Sequence, residues 1–105
     1  MIEFDKGSTN VYADLGFDNP AEQLVKAKLT RTIDLMMRER HLTQIDAASM
    51  MKVKQGALSK LLKGNFDGFS EQRLMKMLTA LGADINIVIN TTPGTFPGSV
   101  QVTYA

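Results

Sequence analysis

The sequence contains no cysteine, which excludes disulfide bonds and thiolate metal sites. Its single histidine, His41, has no second ligand at metal-binding spacing, and no carboxylates are arranged with a nucleophile. We therefore expect no metal, no cofactor and no enzymatic activity. No apolar run approaches the roughly 18 residues that span a bilayer, and the first five residues lack the basic and apolar regions of a secretory signal. These absences predict a cytoplasmic protein with no membrane partner.

Positive and negative charges nearly cancel over the whole chain, but they are unevenly distributed along it. The formal net charge is +1. Residues 1–24 hold one lysine against five carboxylates, whereas residues 25–76 hold eleven lysines or arginines against five carboxylates. The pattern indicates a basic module joined to an acidic amino-terminal arm, as suits a phosphate-binding protein. Solvated lysines on an ordinary helical face would give a similar distribution.

A chain of 105 residues can form one modest core, and its composition divides it into three parts. Residues 1–18 are polar with no sustained period, which predicts a flexible arm carrying spaced apolar anchors. Residues 19–82 have helical periodicity and form the predicted domain. Residues 83–105 are predicted to contain one or two strands and a tail, with dimerisation as their candidate role.

Four helices are predicted within residues 19–82. The first begins at an Asn-Pro pair and runs to about residue 40. Thr43 and Ser70 are the predicted N-caps of the second and fourth helices, and the third covers about residues 55–63. The apolar positions predicted to face the core of these helices are Val25, Leu29, Ile33, Met36, Met37, Ala47, Ala48, Met51, Leu58, Leu61, Leu62, Leu74, Met77, Leu78 and Leu81.

The segment from Asp84 to Asn90 has the character of a strand, because it places three isoleucines on one face. Residues 99–104 alternate in the same way and form a candidate last strand. An isolated apolar strand leaves its edges unpaired. The first segment is therefore predicted to pair either with its symmetry mate or with residues 99–104.

Residues 42–64 have the layout of a helix-turn-helix, which needs a short helix, a tight turn and a second helix with exposed early residues. Ala48 is small where the helices cross, Val53 fills the turn, and Leu58 with Leu62 anchors the second helix. Glutamine can bond adenine, lysine can donate to guanine, and glycine permits close approach to a thymine methyl. The predicted outward set is Gln55, Gly56, Ser59, Lys60 and Lys63. The alternative is an αα-hairpin with a solvated lysine surface.

Phosphate contacts are predicted beside this outward set. Thr43 and Gln44 begin the preceding helix, whose amino-terminal N–H groups favour an anion. Lys52, Lys54 and Lys63 flank the same face. The expected partner is double-stranded DNA, and a two-fold symmetric protein would bind a palindromic operator.

Residues 42–64 resemble the helix-turn-helix of Cro and the phage repressors, in the xenobiotic-response-element family of regulators. A wider resemblance, to HigA-type antitoxins, covers about residues 7–90. It implies a mainly α, four- to five-helix, lambda-repressor-like domain with an extended N-terminal arm and a C-terminal β-strand or hairpin. The segments that carry this resemblance are Gly7 to Gly16, Asn19-Pro20-Ala21-Glu22, Gly68-Phe69-Ser70 and Leu81 to Ile89.

For that subfamily, the resemblance implies a homodimer that represses its own operon and neutralises a RelE-like ribosome-dependent mRNA endonuclease. Base reading is thereby assigned to Gln55, Gly56, Ser59 and Lys60. Phosphate contacts are assigned to Thr43, Gln44 and Lys54. Toxin contacts are assigned to the arm, on Val11, Tyr12, Leu15 and Phe17. A solitary phage-like transcriptional regulator with no toxin partner is the alternative.

Two positions depart from the usual pattern. Lys52 occupies the turn position that is usually glycine, so a side chain is predicted to adopt a positive φ at a cost near ~1 kcal/mol. Lys54 replaces the usual serine cap of the recognition helix. Both changes add positive charge beside the predicted phosphate contacts.

Overall fold

A computed structural model describes residues 20–91, 94 and 96–104 of the chain. Its four α-helices are α1 (Pro20–Glu39), α2 (Gln44–Met51), α3 (Gln55–Leu62) and α4 (Glu71–Ala80). The four predicted helices are confirmed, and their observed starts lie within one residue of the predicted ones. None of the described helices is long and apolar enough to cross a membrane.

The longest helix, α1, forms one side of the core. Its apolar positions recur every three or four residues and therefore share one face of the helix. Val25, Leu29, Ile33, Met36 and Met37 are all buried, as predicted. They pack mainly against α4 and also against α3. Burial of this stripe holds the helix-turn-helix segment to the rest of the domain.

Two helices begin at the side-chain caps that the sequence predicts. The Thr43 hydroxyl accepts a hydrogen bond from the Asp46 N–H at 3.1 Å, and the Ser70 hydroxyl accepts one from the Arg73 N–H at 3.0 Å. Each bond satisfies an N–H group that has no partner within its own helix. These caps set where α2 and α4 start.

The predicted C-terminal strands are not found: the described residues beyond α4 form no β-structure. Ile87, Val88 and Ile89 are 76%, 86% and 81% exposed, so among the described residues these side chains pack against neither a sheet nor the core. A strand needs a partner edge to satisfy its backbone groups. The alternation of apolar residues was therefore insufficient to produce a strand here.

The end of the described chain returns to the helical core instead. Val100 and Val102 are half-buried against it. The Tyr104 hydroxyl donates a hydrogen bond of 2.7 Å to a Glu39 carboxylate oxygen at the end of α1. This bond raises the pKa of Tyr104 above its ordinary value. The contacts attach the tail to α1 without forming a hairpin.

Candidate nucleic-acid interface

α2 and α3 pack closely because the residues between them are small or fully buried. Ala47 and Ala48 are 0% and 4% exposed on α2, while Leu58 and Leu61 are both 0% exposed on α3. The half-buried Val53 lies between the helices, and its N–H donates to the Ala48 carbonyl at 3.0 Å. This arrangement fixes the orientation of α3 relative to the rest of the domain.

Lys52 makes the turn between α2 and α3 in the left-handed conformation, with φ 56° and ψ 44°. Its N–H donates to the Ser49 carbonyl at 3.3 Å. The predicted positive φ of a non-glycine residue is therefore confirmed. The side chain is exposed, so its charge remains available to a ligand.

Lys52→Gly is expected to raise the free energy of unfolding by about 1 kcal/mol, because glycine adopts a positive φ without the Cβ clash. Denaturant unfolding followed by circular dichroism would measure the change. Lys52→Ala is the matched control, since it removes the same charge but keeps a Cβ. Equal stabilisation by the two variants would contradict backbone strain at this position.

α3 begins at Lys54, whose extended backbone has φ −70° and ψ 139°. As the missing serine predicts, the lysine side chain makes no capping hydrogen bond. A methyl group added at Gly56 would meet nothing within 4 Å. Packing inside the protein therefore does not require glycine there, and its bare backbone leaves room for an external ligand.

The face of α3 opposite its buried leucines carries the predicted base-reading residues. Gln55, Gly56, Lys60 and Lys63 are exposed, and Ser59 is half-buried. Within the described ranges, no ion pair engages either of these lysines. The structure thus leaves one amide, one hydroxyl and two ammonium groups on a single helix surface.

Thr43 and Gln44 are exposed at the start of α2. The Thr43 oxygen accepts the cap bond from Asp46, but its hydroxyl hydrogen can still be donated outward. Asp46 is also exposed, and its carboxylate lies in the first turn of the same helix. An anion at this helix start would therefore meet hydrogen-bond donors on Thr43 and Gln44, and the negative charge of Asp46 would repel it.

A concavity beside α3 involves residues that the sequence did not indicate. It has a volume of about 430 Å³ and lies between α3 and the loop that precedes α4. Lys54, Gly56 and Lys60 contribute to it from the helix side, and Asn65 and Asp67 from the loop. An Asn two residues before an Asp indicates only a turn, so little in the sequence indicated that Asn65 and Asp67 would lie beside α3.

A family model described as a helix-turn-helix domain matches residues 11–90, which is most of the chain. The chain belongs to this family of helix-turn-helix domains. A solved structure described as an XRE-family transcriptional regulator is 29% identical, with a TM-score of 0.77. The match covers 84% of this chain and 100% of that one. No protein with a curated description matches significantly.

These matches agree with the mainly helical architecture and with the helix-turn-helix that residues 42–64 predict. The chain has the fold of the XRE-family regulator over the 84% of its length that the match covers. The arm residues predicted to contact a toxin, Val11, Tyr12, Leu15 and Phe17, lie outside the described residues. The antitoxin interpretation therefore stays a prediction.

Proposed function

We propose that this protein is a sequence-specific DNA-binding repressor of transcription that acts by binding, not by catalysis, in the cytoplasm. The observation that carries this proposal is the exposed polar face of α3, whose opposite side is anchored by Leu58 and Leu61. Gln55, Gly56, Ser59 and Lys60 would read base edges in the major groove. The structurally similar protein is described as a transcriptional regulator, which supports the same role.

Contacts to the DNA backbone would position this helix. Thr43 and Gln44 would bind a phosphate at the start of α2, where the free N–H groups of the first turn favour an anion. Lys52, Lys54 and Lys63 are all exposed and would add charge contacts on the same face. Such contacts raise affinity for any DNA and make it dependent on salt concentration.

Selection of bound sites from random double-stranded DNA tests this proposal. The full chain is expected to enrich one sequence in two inverted half-sites, with centres about 34–36 Å apart. Enrichment of no sequence, together with equal affinity for all duplexes, would exclude base reading.

We also propose that the protein is a homodimer joined through residues 84–90. This segment exposes Ile87, Val88 and Ile89, and a second copy could cover its apolar side chains and pair its backbone. Light scattering at micromolar concentration should give the mass of two chains. A monomer at that concentration would contradict the dimer.

Ile87→Asp is expected to shift the dimer towards monomer, because it would place a charge among the three isoleucines of one strand face. Val88→Asp is the matched control, since neighbouring residues of a strand point to opposite faces. Both can be measured by sedimentation at several protein concentrations. Equal effects of the two variants would argue against pairing as a strand.

The finer proposal is that the protein is the antitoxin of a type II toxin–antitoxin pair with a RelE-like mRNA endonuclease. It is supported by the resemblance to HigA-type antitoxins and by the acidic charge of residues 1–24, which complements a basic RNA-cutting partner. A solitary regulator is the competing interpretation, and an adjacent toxin reading frame would separate the two.

Deletion of residues 1–18 is expected to abolish toxin neutralisation while leaving operator affinity within about twofold, because the predicted DNA contacts all follow residue 42. Co-expression with the adjacent toxin measures neutralisation, and a mobility-shift titration measures DNA binding. Survival of neutralisation in the deletion variant would show that the arm is not the inhibitory element.

A further inference from the structure

The concavity beside α3 combines hydrogen-bond donors from the helix with an acceptor from the following loop. Lys54 at the N-cap of α3, Lys60 on α3 and Asp67 on the loop all line the concavity. All three residues are exposed. In the part of the chain that the structure describes, the Asp67 carboxylate has neither a hydrogen bond nor an ion pair. It is therefore free to accept from an external donor.

The loop that carries Asp67 is held in one conformation by local bonds. The Asn65 side-chain oxygen accepts from the Asp67 N–H at 3.2 Å, and the Asn65 N–H donates to the Lys60 carbonyl at 3.0 Å. At the other end, the Arg73 guanidinium donates to the Gly68 carbonyl at 3.1 Å. The same guanidinium lies 4.5 Å from the centre of the Phe69 ring.

These bonds position Asp67 relative to α3 before any ligand arrives. A prepositioned acceptor loses less conformational entropy on binding than a side chain on an unrestrained loop. The Asn65 and Arg73 bonds use the backbone of the loop and leave the Asp67 carboxylate uninvolved. Removal of that carboxylate should therefore leave the loop intact.

A carboxylate at a DNA interface is unfavourable beside phosphates, because both are negative. It becomes favourable where it accepts from an exocyclic amino group, as aspartate does from N4 of cytosine. Lysine supplies the complementary contact, since it donates to O6 and N7 of guanine. Lys60 and Asp67 border the same concavity. Together they offer the kind of donor that guanine accepts and the kind of acceptor that cytosine needs.

We propose that Asp67 is a specificity-determining residue that accepts a hydrogen bond from a cytosine amino group beside the α3 contacts. The inference rests on the proposed function, since it requires α3 to lie in the major groove. The hydrogen bond to Asp67 favours cytosine at one position of each half-site. The negative charge of Asp67 disfavours DNA that offers only phosphates there.

The test compares sites selected from random duplex DNA by the full wild-type chain and by Asp67→Ala. The wild type is expected to prefer cytosine at one position of each half-site by about tenfold, within the range for one good base contact. Asp67→Ala should retain the rest of the site and lose that preference to about twofold or less. Titration of operators that differ only at this position would measure both ratios.

Glu39→Gln is the control, because it removes one negative charge from an exposed residue that does not line the concavity and keeps an oxygen that can accept the Tyr104 hydrogen bond. It should select the wild-type site. Selection of the same cytosine by Asp67→Ala would overturn the inference and leave the proposed function intact. A wild-type chain that selects no site would overturn both. Loss of the cytosine preference in the Glu39 variant as well would mean that the preference depends on general charge, and it would reject a contact by Asp67.

Discussion

Gln55→Ala and Lys60→Ala are each expected to weaken binding to the selected operator by about 1–3 kcal/mol, because each removes a direct base contact. Their effect on random duplex DNA should be much smaller for Gln55, which carries no charge. Lys60 should weaken random binding moderately, since it also contributes to the positive potential. Fluorescence anisotropy titrations at fixed salt concentration would measure both affinities.

The control for the lysine is Lys28→Ala, on an exposed position of α1 outside the helix-turn-helix. It should change operator and random binding alike and only slightly, through the long-range potential. If Gln55→Ala and Lys60→Ala lower both affinities by equal factors, α3 does not read bases. The lysine surface would then be a general electrostatic feature, as in the αα-hairpin interpretation.

Leu58→Ala is expected to lower the free energy of unfolding by about 2–5 kcal/mol, the range for a fully buried leucine. Leu58 is 0% exposed and lies on the side of α3 that faces the core. Its truncation would leave a cavity under the helix that presents the predicted DNA contacts. Urea unfolding monitored by circular dichroism would measure the loss.

Leu62→Ala provides the comparison, because Leu62 lies on the same helix but is only half-buried. It should cost less than Leu58→Ala, since less apolar surface returns to water and the smaller cavity can relax. At a temperature where both variants are folded, the free energy of operator binding should change less than the free energy of unfolding. Equal stability losses would contradict the burial difference between the two leucines.

The helical part of the fold was predictable because its rules are local. Val25, Leu29 and Ile33 recur at helical spacing, and a stripe of this kind identifies its buried face without knowledge of its partner. Thr43 and Ser70 cap their helices through bonds to N–H groups three residues away. The positive φ of Lys52 was predictable for a different reason, since the family resemblance places this lysine at a turn position that is usually glycine.

The C-terminal strand was not predictable because strand formation depends on a distant partner. Residues 84–90 alternate as a strand should, yet no β-strand is found among the described residues to pair with them. Val100 and Val102 alternate as well, but they pack on the helical core, and Tyr104 bonds to Glu39. Alternation identifies which side chains can share a face, not which surface they meet.

The predicted DNA-contacting residues likewise depend on local rules, whereas the residues beside them depend on contacts between distant parts of the chain. The sequence alone determined the helices, their caps and the outward set on α3, because each follows from contacts within a few residues. The positive φ of Lys52 followed from the resemblance of the turn to the family pattern. Only the tertiary structure brought Asn65 and Asp67 to the concavity beside Lys54 and Lys60. That juxtaposition depends on how the loop before α4 folds against α3, and no periodicity in the chain encodes it.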